Sequence, residues 1–306
     1  MPLLAVLMSL TGLTIYAVHD ALIKYLSQSF SVIQIIFFAT LFTFPLISIW
    51  LVGSRTTPSL RPAHPFAVAF RSFSFVFTLM SAFYAFQVLP LAQVYALLFT
   101  TPLMVTALSG PMLGERASMA QWVAILVGFG GVLVVLQPTA RTIEFGHIAA
   151  LTAATLNAIN AALVRKLGST ERSVILLLYP LIVSFFAMGL LLPGVYKPMA
   201  LDEFGITAVV ALLSLAGGSL TIHSFRRGKA TIIAPMQYSQ IIWGVIFGTL
   251  FFNETPADTT LIGIAIIIAS GIFVVTRDGG TKVAQDELAR RTTQIARINS
   301  FLTRRK

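Results

Sequence analysis

PMLGERASMAQWVAILVGFGGVLVV (residues 111–135) and LFFNETPADTTLIGIAIIIASGIFVV (250–275) are one pattern written twice. In each, a glutamate, Glu115 or Glu254, precedes an apolar run that closes on Gly-x-x-Val-Val, and the two glutamates stand 139 residues apart. A second match lies upstream, where DALIKYLSQ (20–28) pairs with AALVRKLGS (161–169) at an offset of 141. The chain divides accordingly into residues 1–140, residues 141–276 and a tail, 277–306.

Composition sets the environment of the two units. Of 306 residues, 57% are hydrophobic and 10% charged, against about 25% charged in a soluble domain, and the mean hydropathy is +0.87. Apolar runs of about 20 residues, enough to cross about 30 Å of hydrocarbon as helix, predict ten spans: 3–24, 32–52, 66–87, 91–112, 118–137, 146–166, 174–193, 204–225, 230–251 and 258–276. These runs are continuous, not alternating, which argues against a transmembrane barrel. The first run has no basic residue before it and no small-x-small site, so it reads as a retained helix, not a cleaved signal. The chain has no cysteine, which excludes disulfides and thiolate metal ligands.

The net charge of +10 raises the question of a nucleic-acid partner, and its distribution answers it. With the N-terminus inside, Arg55, Arg61, Arg71, Arg116, Arg165, Lys166, Arg172, Arg226, Arg227 and Lys229 fall at cytoplasmic ends, and only Lys24, Arg141 and Lys197 outside. Eight further Lys and Arg lie from Arg277 onward. This is the positive-inside pattern. It places both termini in the cytoplasm and calls for no nucleic acid. The tail carries Leu288, Ile295, Ile298 and Leu302 at helical spacing, which suits either an anionic inner leaflet or a solvated terminus.

Five spans per unit is an odd number, so the second unit must enter from the opposite side of the membrane. The expected fold is thus an all-α polytopic membrane protein, two inverted five-helix repeats around a central cavity. Inverted repeats of this kind are a recurrent carrier architecture, with the solute held near the midplane. Transferred across the repeat, Tyr16 and His19 fall on Asn157 and Asn160, Tyr84 on His223, and Thr100 and Thr101 on Ser239 and Gln240. Spans 1, 3, 4, 6, 8 and 9 therefore carry polar groups at matching depths. Spans 2, 5, 7 and 10 read as scaffold, with Gly128, Gly130, Gly131, Gly263 and Gly271 allowing close packing.

The two five-span units, the Gly-Glu pair of PMLGER, its counterpart NET and the stretch APMQYSQIIW (234–243) resemble the EamA-type carriers of the drug/metabolite transporter superfamily. The resemblance covers residues 3–276, and the YSQIIW form is most similar to uptake carriers for S-adenosylmethionine-like or riboflavin-like compounds. It implies a multi-pass carrier of the bacterial inner membrane that moves a small metabolite (amino acid, nucleoside-like, vitamin-like or amine) in either direction. It implies no cofactor and no metal, and the expected oligomeric state is a monomer.

Asp20 is the only acidic residue well inside a span, which suits a proton relay or a counter-ion for a cationic substrate; the alternative is an i,i+4 pair with Lys24. His19 stands beside it as a second coupling candidate. In APMQYSQIIW, Gln237 and Gln240 share a helix face, with Trp243 and Gly244 one turn on. Amides beside an aromatic suit a planar or zwitterionic metabolite, or else serve as glue between helices. Tyr16, His19, Tyr84, Thr100, Asn157, Asn160, His223, Gln237, Tyr238, Gln240 and Trp243 are the candidate substrate contacts. Pro235 and Pro102 are expected to loosen their helices. Glu115 and Glu254 are expected to cap the spans they precede. An intramembrane hydrolase or acyltransferase stays open as an alternative, although HExxH, GxSxG and a cysteine nucleophile are all missing from the sequence.

Overall fold

The computed structural model describes residues 2–52, 61–114, 118–137, 143–167, 170–227 and 233–273. The tail, Glu115 and several expected cytoplasmic-end basic residues lie outside these. The described chain is helical: α1 (Pro2–Ser27), α2 (Val32–Val52), α3 (Pro65–Val88), α4 (Leu91–Leu98), α5 (Thr101–Leu113), α6 (Met119–Leu136), α7 (Phe145–Leu167), α8 (Ser173–Leu191), α9 (Leu201–Arg227), α10 (Ser239–Phe252) and α11 (Asp258–Phe273). Six of these helices, and the stretch Leu91–Leu108 that spans α4 and most of α5, are long and apolar enough to cross a membrane, and two shorter apolar helices accompany them among the described residues.

Two expected spans are broken, at matching places in the repeat. Span 4 divides into α4 and α5 at Phe99 and Thr100, just before Pro102, which has no N–H to continue the ladder. The hydroxyls of Thr100 and Thr101 donate to the carbonyls of Leu97 and Leu98 at 2.7 and 2.6 Å, supplying donors near the break. In span 9, APMQYSQIIW is not one α-helix as expected. Ala234–Tyr238 is a 3₁₀ turn with Pro235 in its first turn, and α10 starts at Ser239.

Of the two expected glutamate caps, that of Glu115 lies outside the described residues, and α6 has a cap of its own. Ser118 and Gln121 cap α6 reciprocally: Ser118 Oγ accepts from Gln121 N–H at 3.3 Å, and Gln121 Oε1 accepts from Ser118 N–H at 2.7 Å. Glu254 does not cap α11, the helix it precedes. Its Oε2 accepts from the N–H of Leu91, the first residue of α4, at 2.9 Å.

Helix packing repeats as well. α1 lies along α9 and α3 along α7 in extensive contacts. The sequence repeat pairs α1 with α7 and α9 with α3, so these are one kind of contact made twice. Small residues set how closely the helices approach. A Cβ on Gly12 of α1 would stand 3.1 Å from the carbonyl oxygen of Gly217 on α9, and one on Gly217 3.1 Å from that of Gly12. On α6 and α11, a Cβ on Gly131 would meet Gly263 O at 3.0 Å, and one on Gly263 would meet Gly131 O at 2.7 Å.

That second crossing has an internal symmetry. Ser270 Oγ donates to Ala124 O at 2.8 Å. Shifting 124 and 131 by the repeat offset of 139 gives 263 and 270, so the contacts 131–263 and 124–270 exchange with each other. Going from 124 to 131 along α6 goes from 270 back to 263 along α11. The counterpart helices therefore cross antiparallel. Gly128 packs under Leu103 and Ser270, and Gly271 under Tyr238, as close packing requires. Gly130 departs from expectation: a Cβ there would have no atom within 4 Å.

These distances separate neighbouring glycines experimentally. Gly263→Val should lower stability by about 1–3 kcal/mol, because backbone and Val135 leave no room for the added carbons. Gly130→Ala should cost nothing. Thermal unfolding of the two detergent-purified variants against wild type measures both.

Candidate functional site

α1 brings Tyr16, His19, Asp20 and Lys24 to one end of the bundle, and their partners come from four other helices. Lys24 is buried, and its ammonium has three donors to satisfy. They go to Glu254 Oε1 at 2.6 Å, Leu89 O at 2.6 Å and Phe86 O at 3.3 Å. Phe86 and Leu89 end α3, where carbonyls lack intrahelical partners and the dipole is negative; Leu91 begins α4, where N–H groups lack partners and the dipole is positive. The lysine thus sits on the helix end that attracts a cation. Its glutamate sits on the end that attracts an anion. The Lys24 ammonium also lies 5.4 Å from the centre of the Phe252 ring.

This sets aside the alternative of an Asp20–Lys24 pair. Asp20 has other partners: His19 Nδ1 at 2.8 Å from Oδ1, and the Tyr95 hydroxyl, which donates to Oδ2 at 2.8 Å. Its side chain is 14% exposed and that of His19 12%. Among the described residues, His19 is the only potential cation within 4 Å of this carboxylate. The His19 ring meets Tyr16 and Phe83 edge-on, with centroids 6.1 and 6.4 Å away. Tyr16 in turn rests on Gly217 and Gly218 of α9, where a Cβ would come within 3.1 and 2.9 Å of its ring and hydroxyl.

Tyr95 is the residue that sequence reasoning missed. It is 3% exposed and packs on Gly244 of α10, where a Cβ would lie 2.5 Å from the ring. From Tyr95 an aromatic row runs through Phe99, stacked at 6.0 Å, to Tyr238, edge-on at 5.3 Å. Its one sequence signal is a hydroxyl in the otherwise apolar run YALLF.

The remaining candidates are more dispersed. Asn160 is buried, and its Nδ2 donates to Thr78 Oγ1 at 3.1 Å. Thr78 spends its own proton on Ser74 O at 2.8 Å, which fixes the amide orientation and leaves Asn160 Oδ1 without a partner. Asn157, Tyr84 and His223 are exposed, with the His223 ring donating to Ser219 O at 2.7 Å. Thr100 is fully buried. Tyr238 is buried against Gly271 and Phe99, and its hydroxyl has no partner. Gln237, Gln240 and Trp243 are partly buried, with the Trp243 ring tilted against Phe247 at 5.3 Å.

Comparison with known proteins meets this geometry at the repeat. The profile of the EamA-like transporter family matches twice, over residues 3–137 and 144–276. The chain belongs to the EamA-like transporter family. Its similarity to an S-adenosylmethionine uptake transporter of Rickettsia bellii is 27% identity, covering 87% of this chain and 91% of that one. The pseudopaline exporter CntI of Pseudomonas aeruginosa is also 27% identical, over 88% and 94%. A riboflavin transporter of Vibrio cholerae is 28% identical over 60% and 62%. A solved crystal structure shares the fold, with a TM-score of 0.58 at 17% identity, covering 87% of this chain and 94% of that one. This EamA-like protein is a multi-pass membrane transporter, and the enzyme alternative is set aside.

A double-mutant cycle gauges the Asp20–Tyr95 contact. Tyr95→Phe and Asp20→Asn should couple by about 1.5–3 kcal/mol in unfolding free energy, the range for a hydrogen bond to a charged group. Denaturant or thermal unfolding of the two single variants and the double variant gives that coupling.

Proposed function

We propose that this EamA-like protein is a secondary carrier that moves a small organic metabolite bearing a positive charge across the bacterial inner membrane by alternating access. The observation that carries the charge assignment is the commitment of Lys24 to Glu254. Asp20 is left with the Tyr95 hydroxyl and the His19 ring, a cation only when protonated, and with no lysine or arginine within 4 Å among the described residues. A carboxylate at membrane depth without a fixed cation marks a solute or proton site by default. A solute ammonium or sulfonium group supplies the missing charge. Tyr16, His19, Asn160, Gln237, Gln240 and Trp243 supply rings, amides and an imidazole around it. Tyr84, Thr100, Asn157, His223 and Tyr238 complete the candidate set, and His19 stands with Asp20 as the coupling pair.

The relatives agree with a cationic solute in one case, S-adenosylmethionine, and they include both uptake and export. Direction is therefore left to the solute gradient. Residues 1–140 and 141–276 are the two inverted repeats of the proposal, with 277–306 a basic cytoplasmic tail. The antiparallel α6–α11 crossing, whose contacts exchange under the repeat offset, supports the inversion. The breaks in spans 4 and 9 support a midplane site, since discontinuous helices characterise such carriers.

Two measurements test the proposal. In proteoliposomes the protein should take up labelled S-adenosylmethionine saturably, and Asp20→Asn should weaken its binding about 10- to 150-fold while the protein stays monodisperse. Near-normal affinity in that variant would remove Asp20 from the site. Reporter fusions after residues 55 and 306 should report the cytoplasm, and one near residue 141 the periplasm. A periplasmic C-terminus would overturn the inverted arrangement.

A further inference from the structure

The end of α3, the start of α4 and the α10–α11 turn converge where α1 passes, and two residues of α1 tie them together. Lys24 holds the last carbonyls of α3 and the carboxylate of Glu254, and that carboxylate holds the first N–H of α4. Glu254 is itself fixed in the turn from α10 to α11: its N–H donates to Gly248 O at 2.9 Å, and its carbonyl accepts from Thr249 Oγ1 at 3.0 Å. One turn further along, Asp20 holds Tyr95. Asp20 and Lys24 are four residues apart on α1, as are Leu91 and Tyr95 on α4, so the two ties are stacked about 6 Å apart. α4 is only eight residues long and ends at the break before α5. It is a short rigid half-helix, tied to α1 at both of its turns.

We infer that α4 and the Glu254 turn form a door at this end of the bundle, latched shut here by Lys24–Glu254 and Asp20–Tyr95, and that the solute's cation undoes the second tie by competing for Asp20. The inference rests on the carrier function proposed above and adds the moving part and its trigger. An ion pair suits the first tie for an energetic reason. Inside a protein, the attraction of a buried pair is largely offset by the water that both ions gave up. The pair holds geometry when closed and costs little to part once each ion can be hydrated. Water has room nearby: a cavity of about 60 Å³ lies beside Glu254, lined also by Pro90, Gln93, Gly244 and Thr260. An apolar contact of the same size would not open so cheaply. The second tie opens by exchange. Asp20 Oδ2 accepts from a neutral hydroxyl, and a cationic donor is the stronger partner. Once released, Tyr95 still packs on Gly244, Phe86 and the aromatic row, and α4 keeps its apolar contacts with the core.

The chain has no native cysteine, so an introduced one reports alone. Ala17 shares the helix face of Asp20 and Lys24, one turn inward, and is 1% exposed. Full-length Ala17→Cys protein in oriented proteoliposomes is treated on the outer side with a membrane-impermeant maleimide. The reaction should be slow, and adding Glu254→Gln or Lys24→Met should speed it about tenfold or more. The reversed pair, Lys24→Glu with Glu254→Lys, should stay fast, because it sets a carboxylate on the α3 carbonyls and an ammonium on the first N–H of α4. S-adenosylmethionine should speed it in the Ala17→Cys background but not when Asp20→Asn is present. Ala150→Cys, fully buried on α7, is the control and should stay slow throughout. Unchanged Ala17→Cys rates in the folded single variants overturn the latch. So does parallel acceleration of Ala17→Cys and Ala150→Cys, which means general loosening. If the charge variants act but S-adenosylmethionine does not, the ion latch stands and the release through Asp20 is overturned. The charge arms need no transport, so failed uptake with the charge response intact counts against the proposed cargo and not against the ion latch.

Discussion

A buried lysine is among the most expensive groups that a membrane protein can carry, and the end of this bundle is arranged around one. Lys24 has three donors, and each must find an acceptor because hydrocarbon offers none. Two acceptors come from the carbonyls that end α3, the third from Glu254. Glu254 then needs donors of its own, and takes the first N–H of α4. Satisfying one ammonium in this way fixes the α3–α4 turn, the α10–α11 turn and α1 relative to one another. Other features follow from it. With α4 so placed, Tyr95 meets Asp20, Gly244 has to be glycine where the Tyr95 ring lies, and the aromatic row leads on to Tyr238 and the space left by Gly271.

Features carried by the repeat are legible in the amino-acid sequence, and features carried by long-range pairing are not. Membrane-length apolar runs, the close approach at Gly131 and Gly263, and the loosening at Pro102 and Pro235 follow from local chemistry and a visible duplication. The partner of Lys24 does not. The i,i+4 rule points to Asp20, but the ammonium lies on the α3 carbonyls, and its carboxylate comes from a residue in the other repeat. Glu254 misleads for the same reason. A glutamate before a helix resembles a cap for that helix, and nothing local shows that a different helix start lies closer. Tyr95 escapes notice because tyrosine in an apolar run counts as apolar, and its hydroxyl matters only once α1 is beside it.

Lys24 and Asp20 show how one helix can carry a charge committed to structure and, in the proposed carrier, one kept for the solute. They stand one turn apart on the same face and do not neutralise each other. Had they paired, the site would hold no net charge, and a cationic solute would have to break a salt bridge to enter. Pairing Lys24 elsewhere leaves Asp20 oriented by His19 and Tyr95 with its charge available. In the proposed site that is preorganisation: the carboxylate is aimed before a ligand arrives, so less ordering has to be done on binding.

Duplication also bears on the energetics of a two-state carrier. Opening to either side requires two conformations within a few kcal/mol of each other, since a ligand shifts an equilibrium only by its differential affinity. Two units that make the same contacts, α1 on α9 and α7 on α3, start close to that balance. The departures from the repeat then fall on the proposed site. Asp20 is matched by Ala161, His19 by Asn160 and, at the offset of the glutamates, Tyr95 by Ala234. The acidic group and the hydroxyl that holds it therefore exist in only one unit. Under the proposed mechanism, a charged solute that takes Asp20 loosens one end of the bundle and has no equivalent carboxylate at the other. In the proposed carrier the near-equivalence of the halves keeps both states accessible, and the residues that break it give the solute its hold on the balance between them.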